Sequence, residues 1–201
     1  MNRSHANQPP LLVSRDSDEI REEYLLGPEI PEIQALPKIA SKGALRLVVV
    51  DKSVGETIRK AIAHVAMVAH RCMPEYKAGY YGTDSEDSRL YALVNGTRIV
   101  GMVITSFEKH LCRYTWNSED YVLIWETNDD FVSGPKISRV WTAGSYRHQG
   151  LAKWLTFEVG KHLDCNVQNL GWEMPFTING KALVKSVCPK CFLGCGDAYA
   201  H

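Results

Sequence analysis

One stretch of this chain, residues 136–152, joins an apolar strand to a helix through a short glycine-containing turn. Residues 137–142 read Ile-Ser-Arg-Val-Trp-Thr, an apolar and β-branched run that is typical of a buried strand. From Leu151 onward, apolar residues recur at three- and four-residue spacing, which indicates a helix. A helix start presents unpaired N–H groups and the positive end of the helix dipole. The arrangement therefore predicts a phosphate-binding turn.

Three side chains in this turn suit a phosphate. Gly150 has no Cβ, so a pyrophosphate could approach the backbone closely. Ala152 keeps the next turn small, and Arg147 can add charge-assisted hydrogen bonds. The alternative is an ordinary strand-to-helix turn that carries a surface arginine, because short motifs have many chance matches.

The same residues resemble a known family. Arg-x-x-Gly-x-Ala after a strand, here Arg147–Ala152, resembles the acetyl-coenzyme A loop of the GNAT N-acetyltransferase superfamily. Residues 137–141, Ile-Ser-Arg-Val-Trp, resemble the Ile-Ser-Arg-Ile-Trp strand of its cohesin (establishment-of-cohesion) acetyltransferase branch. Residues 175–181 resemble the Pro-Thr-Pro-Asp-Gly-Lys turn of that branch. The matches cover residues 89–187, about half of the chain, and no N-terminal Cys₂His₂ finger of the cohesin enzymes accompanies them.

The resemblance implies a mixed α/β (α+β) fold with a mostly antiparallel sheet of about seven strands flanked by helices. We divide the chain into a Pro-containing N-terminal arm, residues 1–43, and an acetyltransferase-like domain, residues 44–201. The implied activity is transfer of an acetyl group from acetyl-CoA to an amine, either a protein lysine or a small molecule. A non-catalytic GNAT-fold binding or interaction protein is the competing interpretation.

The resemblance also implies residues that contact acetyl-CoA. They belong to the predicted strand, to the turn and to the start of a later helix. These residues are Val140, Trp141, Thr142, Arg147, His148, Gln149, Gly150, Leu151, Ala152, Asn179, Gly180 and Lys181.

Acetyl transfer to an amine needs a group that accepts the amine's proton. Glu173, at the end of the strand expected beside the coenzyme, is our candidate base, acting directly or through a water. A strand-end carboxylate in solvent is the alternative. A gapless match to the cohesin enzymes puts Pro175 where they have an aspartate, so this sequence departs from their pattern. Ser138 matches the serine of Ile-Ser-Arg-Ile-Trp and is the candidate for orienting substrate or water.

Cysteines near the C-terminus could serve as metal ligands. Cys188-x2-Cys191-x3-Cys195 with His201 contains the Cys-x2-Cys half of many zinc sites, but the second half lacks standard spacing. On closing strands of the implied fold, cysteine is a small core residue. We favour that interpretation over zinc.

Composition indicates which broad classes of protein this chain does not resemble. Lys+Arg and Asp+Glu both number 23, and this zero net charge argues against nucleic-acid binding. No apolar run approaches the roughly 20 residues of a membrane span. Six cysteines without a secretory signal indicate reduced thiols and an intracellular protein, cytoplasmic or nuclear.

Local patterns predict the other elements. Asn95-Gly96 between two apolar runs is a strong signal for a β-hairpin. The predicted strands are 44–50, 89–94, 97–107, 111–115, 121–126 and 167–173, with a loop at 128–135, and the predicted helices are 17–26, 51–72 and 177–187.

Overall fold

Eight strands form one mixed sheet in the computed structural model, which describes residues 17–71, 87–118, 120–123, 131–174 and 176–195. The strands are β1 (Lys38–Lys42), β2 (Leu45–Val50), β3 (Arg89–Asn95), β4 (Arg98–Asn117), β5 (Asp120–Leu123), β6 (Val132–Thr142), β7 (Gly171–Glu173) and β8 (Cys191–Cys195). The helices are α1 (Ser17–Leu26), α2 (Glu56–Arg71), α3 (Leu151–His162) and α4 (Ile178–Val187).

The sheet runs in the order β1-β2-β3-β4-β6-β7-β8, and β4 pairs in addition with β5 and β8. Every pairing is antiparallel except β6–β7 and β7–β8. The predicted mixed, mostly antiparallel sheet is therefore confirmed. It has one strand more than expected: β1 and β8 add two strands, while the predicted strands 97–107 and 111–115 are both part of β4.

Strand β4 is 20 residues long and serves two parts of the sheet. Its first half pairs with β3 and β6, and its second half pairs with β5 and β8. The Asn95-Gly96 hairpin is confirmed, with Asn95 opposite Arg98 and Gly96 in the left-handed region at φ +58°. The second predicted hairpin also forms, but its first strand is the continuation of β4 rather than a separate element.

Helices cover both faces of the sheet. On one face, α3 and α4 bury Leu155, Val159 and Val184 against the strands. On the other face, α2 buries Ile62 and Val65 in a second core. The apolar stripes of α2, α3 and α4 face the sheet, as amphipathic spacing predicts. No helix in the described part of the chain is long and apolar enough to cross a membrane.

The described part of the predicted N-terminal arm, residues 17–43, lies against the sheet. Ile33 is fully buried in the core on the α2 face, and Ile30 is nearly so. The backbone N–H of Ile30 donates to Thr97 and that of Ile99 donates to Pro28, which ties this segment to the start of β4. Residues 1–16 lie outside the described range, and the division at residue 43 stays a prediction.

Three predicted element boundaries were wrong. Helix α2 begins at Glu56, whereas the sequence predicted a helix from residue 51. Strand β6 begins at Val132, within the stretch predicted as a loop up to residue 135. Strand β7 is only three residues long, whereas residues 167–173 were predicted to be extended. The Asn166 side chain accepts a hydrogen bond from the backbone of Gln168 and caps a 3-10 turn at 167–169, so the chain becomes extended only at Gly171.

Helix α4 begins with a side-chain cap. Thr177 Oγ1 accepts a hydrogen bond from the backbone N–H of Gly180 at 3.0 Å, at the predicted start of this helix. We expect Thr177→Ala to lower the free energy of unfolding by about 1 kcal/mol, because an orphan N–H loses its acceptor. Urea unfolding measures this. Thr177→Ser keeps the hydroxyl and should unfold nearly as wild type does; equal losses for both variants would contradict the cap.

Candidate active site

A gap opens in the sheet between β6 and β7. The two strands pair only at Lys136–Gly171 and Ile137–Trp172. Beyond that point β6 continues to Thr142, whereas the segment that contains β7 turns at Met174. The backbone N–H of Met174 donates to the carbonyl of Cys195 at 2.8 Å. Helix α4 then follows. The unpaired edge of β6 therefore borders a cleft whose far wall is α4.

A bulge in β6 lies at the start of this cleft. Ile104 pairs with Arg139 but the next residue of β4, Thr105, pairs with Ile137, so Ser138 is the extra residue. The bulge changes which residues share a face. Ile137 packs in the α3–α4 core. Arg139, which is also buried, pairs with Ile104, the residue next to the partner of Ile137 on β4.

Backbone N–H groups of β6 point into the gap. The N–H of Ala143 donates to Val100 of β4 at 2.9 Å. Successive N–H groups of a strand point to opposite edges, so those of Val140 and Thr142 point away from β4. Both residues lie beyond the last β6–β7 pair in the described chain. They supply the donors that an oxyanion would need.

The cleft contains a cavity of about 550 Å³ between β6, the turn after it and α4. It brings together most of the residues predicted to contact acetyl-CoA. Those that line it are Val140, Trp141, Thr142, Arg147, His148, Gly150, Leu151, Ala152, Asn179 and Gly180.

Two of the predicted contacts are not among the lining residues. Gln149 is exposed, and its Nε2 donates to the Ser145 carbonyl at 3.0 Å. Lys181 Nζ lies 3.2 Å from Asp120 Oδ1, across from β5. As it stands, the Lys181 side chain serves the contact between α4 and β5 rather than the cavity.

The cavity has the character of an anion site. Helix α3 starts there, and Gly150 at its N-terminus has φ +71° and provides no side-chain cap, so the first N–H groups stay open. Arg147 and Lys153 add positive charge, and the described lining contains no Asp or Glu. His148 is also left-handed, at φ +60°. Backbone strain of this kind collects at binding sites.

A smaller recess, about 70 Å³, continues the cleft towards β7. Ser138 and Glu173, the two candidate catalytic residues, both line it. The two spaces adjoin, because they share the lining residues Val140, Thr177, Gly180 and Leu183. Ser138 Oγ lies 3.3 Å from Ser106 Oγ, so this hydroxyl has a neighbour on β4.

Glu173 forms part of a charged cluster. Its Oε2 lies 3.5 Å from Lys136 Nζ, and Glu108 Oε2 lies 3.4 Å from the same nitrogen. Burial alone would lower the pKa of Lys136, but Cys195, Glu173 and Glu108 outweigh it and raise that pKa above its ordinary value. Lys136 is therefore an ammonium ion at neutral pH, and Glu173 both contacts it and lines the recess.

Sequence reasoning missed several lining residues. Ile178, Ala182 and Leu183 come from α4, and Tyr146 and Lys153 flank the predicted turn. The apolar spacing of residues 178–187 predicted the helix but did not show which of its sides would face the cleft. Lys153 was predictable from the sequence, since it lies in the first turn of the predicted helix.

The C-terminal cysteines lie on and beside β8. Cys188 is buried, and burial raises the pKa of its thiol to about 11. Cys191 and Cys195 are the two ends of β8. Among the described residues there is no group of three or more His, Cys, Asp or Glu that could hold a metal ion. His201 lies outside the described range.

Solved structures share this architecture. The xEco2 acetyltransferase domain, bound to a CoA conjugate, matches with a TM-score of 0.64 and 17% identity over 80% of this chain and 97% of that one. A second structure of the same domain matches with a TM-score of 0.62 and 16% identity, over 85% and 98%. No protein-family model and no curated protein matches the sequence. The chain has the GNAT fold.

Proposed function

We propose that this protein transfers an acetyl group from acetyl-CoA to an amine. The observation that carries the proposal is the continuous cleft along β6. At one end it has an uncapped helix N-terminus beside Arg147, which suits the phosphates of CoA. At the other end it reaches Ser138 and Glu173. The cleft thus offers a phosphate site and a candidate proton acceptor on one path.

Proton removal and oxyanion stabilisation each have candidate groups in the cleft. Glu173 accepts a proton from the amine, directly or through a water, and the amine nitrogen attacks the thioester carbonyl carbon. The N–H groups of Val140 and Thr142 stabilise the oxyanion of the tetrahedral intermediate. The carbon–sulfur bond then breaks, CoA leaves as its thiolate, and the thiolate takes up a proton from water. Ser138 orients the amine or a bridging water.

The acceptor is an amine of a protein lysine or of a small molecule. The solved neighbours with TM-scores above 0.6 are acetyltransferase domains, and one of them carries a CoA conjugate. This supports acetyl-CoA as the donor. Residues 137–141 resemble the cohesin branch, which would imply a protein lysine, but no N-terminal finger of that branch accompanies them, so both kinds of amine belong to the proposal. An intracellular location, cytoplasmic or nuclear, is part of the same proposal.

A non-catalytic binding protein is the second candidate. One observation favours it: Glu173 is engaged by Lys136 at 3.5 Å, an arrangement that also suits a structural ion pair. Such a protein would bind CoA in the larger cavity and use another surface for a partner.

One experiment distinguishes these two functions. Calorimetric titration of acetyl-CoA into the purified protein measures binding, and release of free CoA in the presence of lysine peptides or small amines measures transfer. We expect micromolar binding, CoA release that requires an amine, and a product heavier by one acetyl group. Binding without release for any amine would support the non-catalytic function. No binding at all would reject both.

A further inference from the structure

Arg147 is held from two sides by contacts within the protein. Its Nε donates a hydrogen bond to the carbonyl of Thr142 at 3.2 Å. On the other side its Cζ lies 4.7 Å from the centre of the Tyr24 ring. A guanidinium over an aromatic face is attracted by the negative face of the ring. The ring belongs to α1, within the predicted N-terminal arm, and nothing in the local sequence of the turn indicates this contact.

Helix α1 is fixed to the domain next to Tyr24. Both carboxylate oxygens of Glu23 lie 2.9 Å from His64 Nε2 on α2. At the end of α1, Gly27 has φ +89°, and a Cβ there would collide with the carbonyl oxygen of Ile99. Arg98 Nη1 donates to the Gly27 carbonyl at 3.0 Å. The position of Tyr24 is therefore set by contacts with α2 and β4.

The same helix packs directly on the turn that precedes α3. A Cβ on Gly144 would lie 2.9 Å from Leu25 Cδ2 and 3.4 Å from Leu25 Cα, so the 3-10 turn at 144–146 fits closely against α1. The Tyr146 hydroxyl accepts a hydrogen bond from Asn95 Nδ2 at 2.7 Å. Helix α1 thus supports the backbone of the turn as well as the side chain of Arg147.

We propose that Tyr24 is a positioning residue for the CoA phosphates, acting through Arg147; this rests on the proposed function. An arginine on a flexible stem loses rotamer freedom when it binds an anion, and this loss weakens binding. The Tyr24 ring and the Thr142 carbonyl restrict Arg147 beforehand, with the guanidinium at the cavity wall. The N-terminal segment is therefore part of the coenzyme site.

The test compares two substitutions at Tyr24, one that keeps the aromatic ring and one that removes it. Tyr24→Phe keeps the ring, whereas Tyr24→Leu keeps an apolar side chain without it. We expect Tyr24→Leu to weaken acetyl-CoA binding about tenfold, equivalent to about 1.4 kcal/mol, and Tyr24→Phe to bind as wild type does. Leu26→Ala, at an exposed position of the same helix, should have no effect and serves as the control.

A double-mutant cycle separates positioning from general damage to the fold. In an Arg147→Ala background, Tyr24→Leu should have no further effect, because its effect passes through the arginine. Equal binding by Tyr24→Leu and wild type, or a full tenfold loss in the Arg147→Ala background, would overturn the role of Tyr24 and leave the coenzyme site standing. Absence of binding by the wild type would overturn the proposed function and this inference together.

Discussion

Replacement of Gly150 by tryptophan is expected to weaken acetyl-CoA binding by at least about a hundredfold, or about 2.7 kcal/mol. Gly150 has φ +71°, where a side chain adds roughly 1–2 kcal/mol of strain. No atom lies within 4 Å of the position that its Cβ would take, because the side chain would project into open space at the cavity wall. An indole there occupies the space that the phosphates need. Calorimetric titration measures the loss.

Gly43 provides a matched control. It is also left-handed, at φ +59°, and also has no atom within 4 Å of its Cβ position, but it lies in the turn between β1 and β2 and does not line the cavity. Gly43→Trp should cost similar backbone strain and leave binding intact. If both variants bind acetyl-CoA as tightly as wild type, the coenzyme does not use this turn.

Replacement of Glu173 by glutamine is expected to lower kcat by roughly 10²–10⁴-fold, the usual contribution of general base catalysis. The amide keeps the shape of the side chain and cannot accept a proton at neutral pH. Acetyl-CoA affinity should hardly change, because Glu173 lines the smaller recess and not the coenzyme cavity. Steady-state rates at saturating acetyl-CoA, with the best amine, measure the effect.

Glu108 is the matched control for Glu173. Both carboxylates contact the same Lys136 ammonium, at 3.4 and 3.5 Å, but only Glu173 lines the recess. Glu108→Gln should therefore remove a comparable ion pair and leave kcat near the wild-type value. Equal losses of kcat in the two variants would show that the Lys136 cluster matters for structure, and the base would have to be sought elsewhere.

Local chemistry accounts for what the sequence predicted well. The hairpin at Asn95-Gly96 depends on a left-handed residue and two flanking apolar runs, all within a few positions. The turn after β6 is of the same kind: Gly150 and the helical spacing from Leu151 are adjacent in the chain. The resemblance of residues 137–141 added the fold, since spacing alone does not fix the order of strands.

Contacts between distant residues account for what was missed. Lys181 was assigned to the coenzyme, but its Nζ contacts Asp120, and no periodicity relates these two positions. The bulge at Ser138 exists only in the pairing of β6 with β4. The Tyr24–Arg147 contact likewise joins residues more than a hundred positions apart. A single sequence gives the identity of each side chain but does not show which distant residue it contacts.

The position of β8 has a consequence for synthesis on the ribosome. Strand β8 lies between β7 and the second half of β4, so the last described strand fills an interior place in the sheet. Until Cys191–Cys195 has emerged, β4 and β7 both present unpaired edges, and open edges invite pairing with other chains. The nascent chain can form its hairpins early, but it cannot close the sheet until residues 191–195, about 75 positions after the end of β4, have been made.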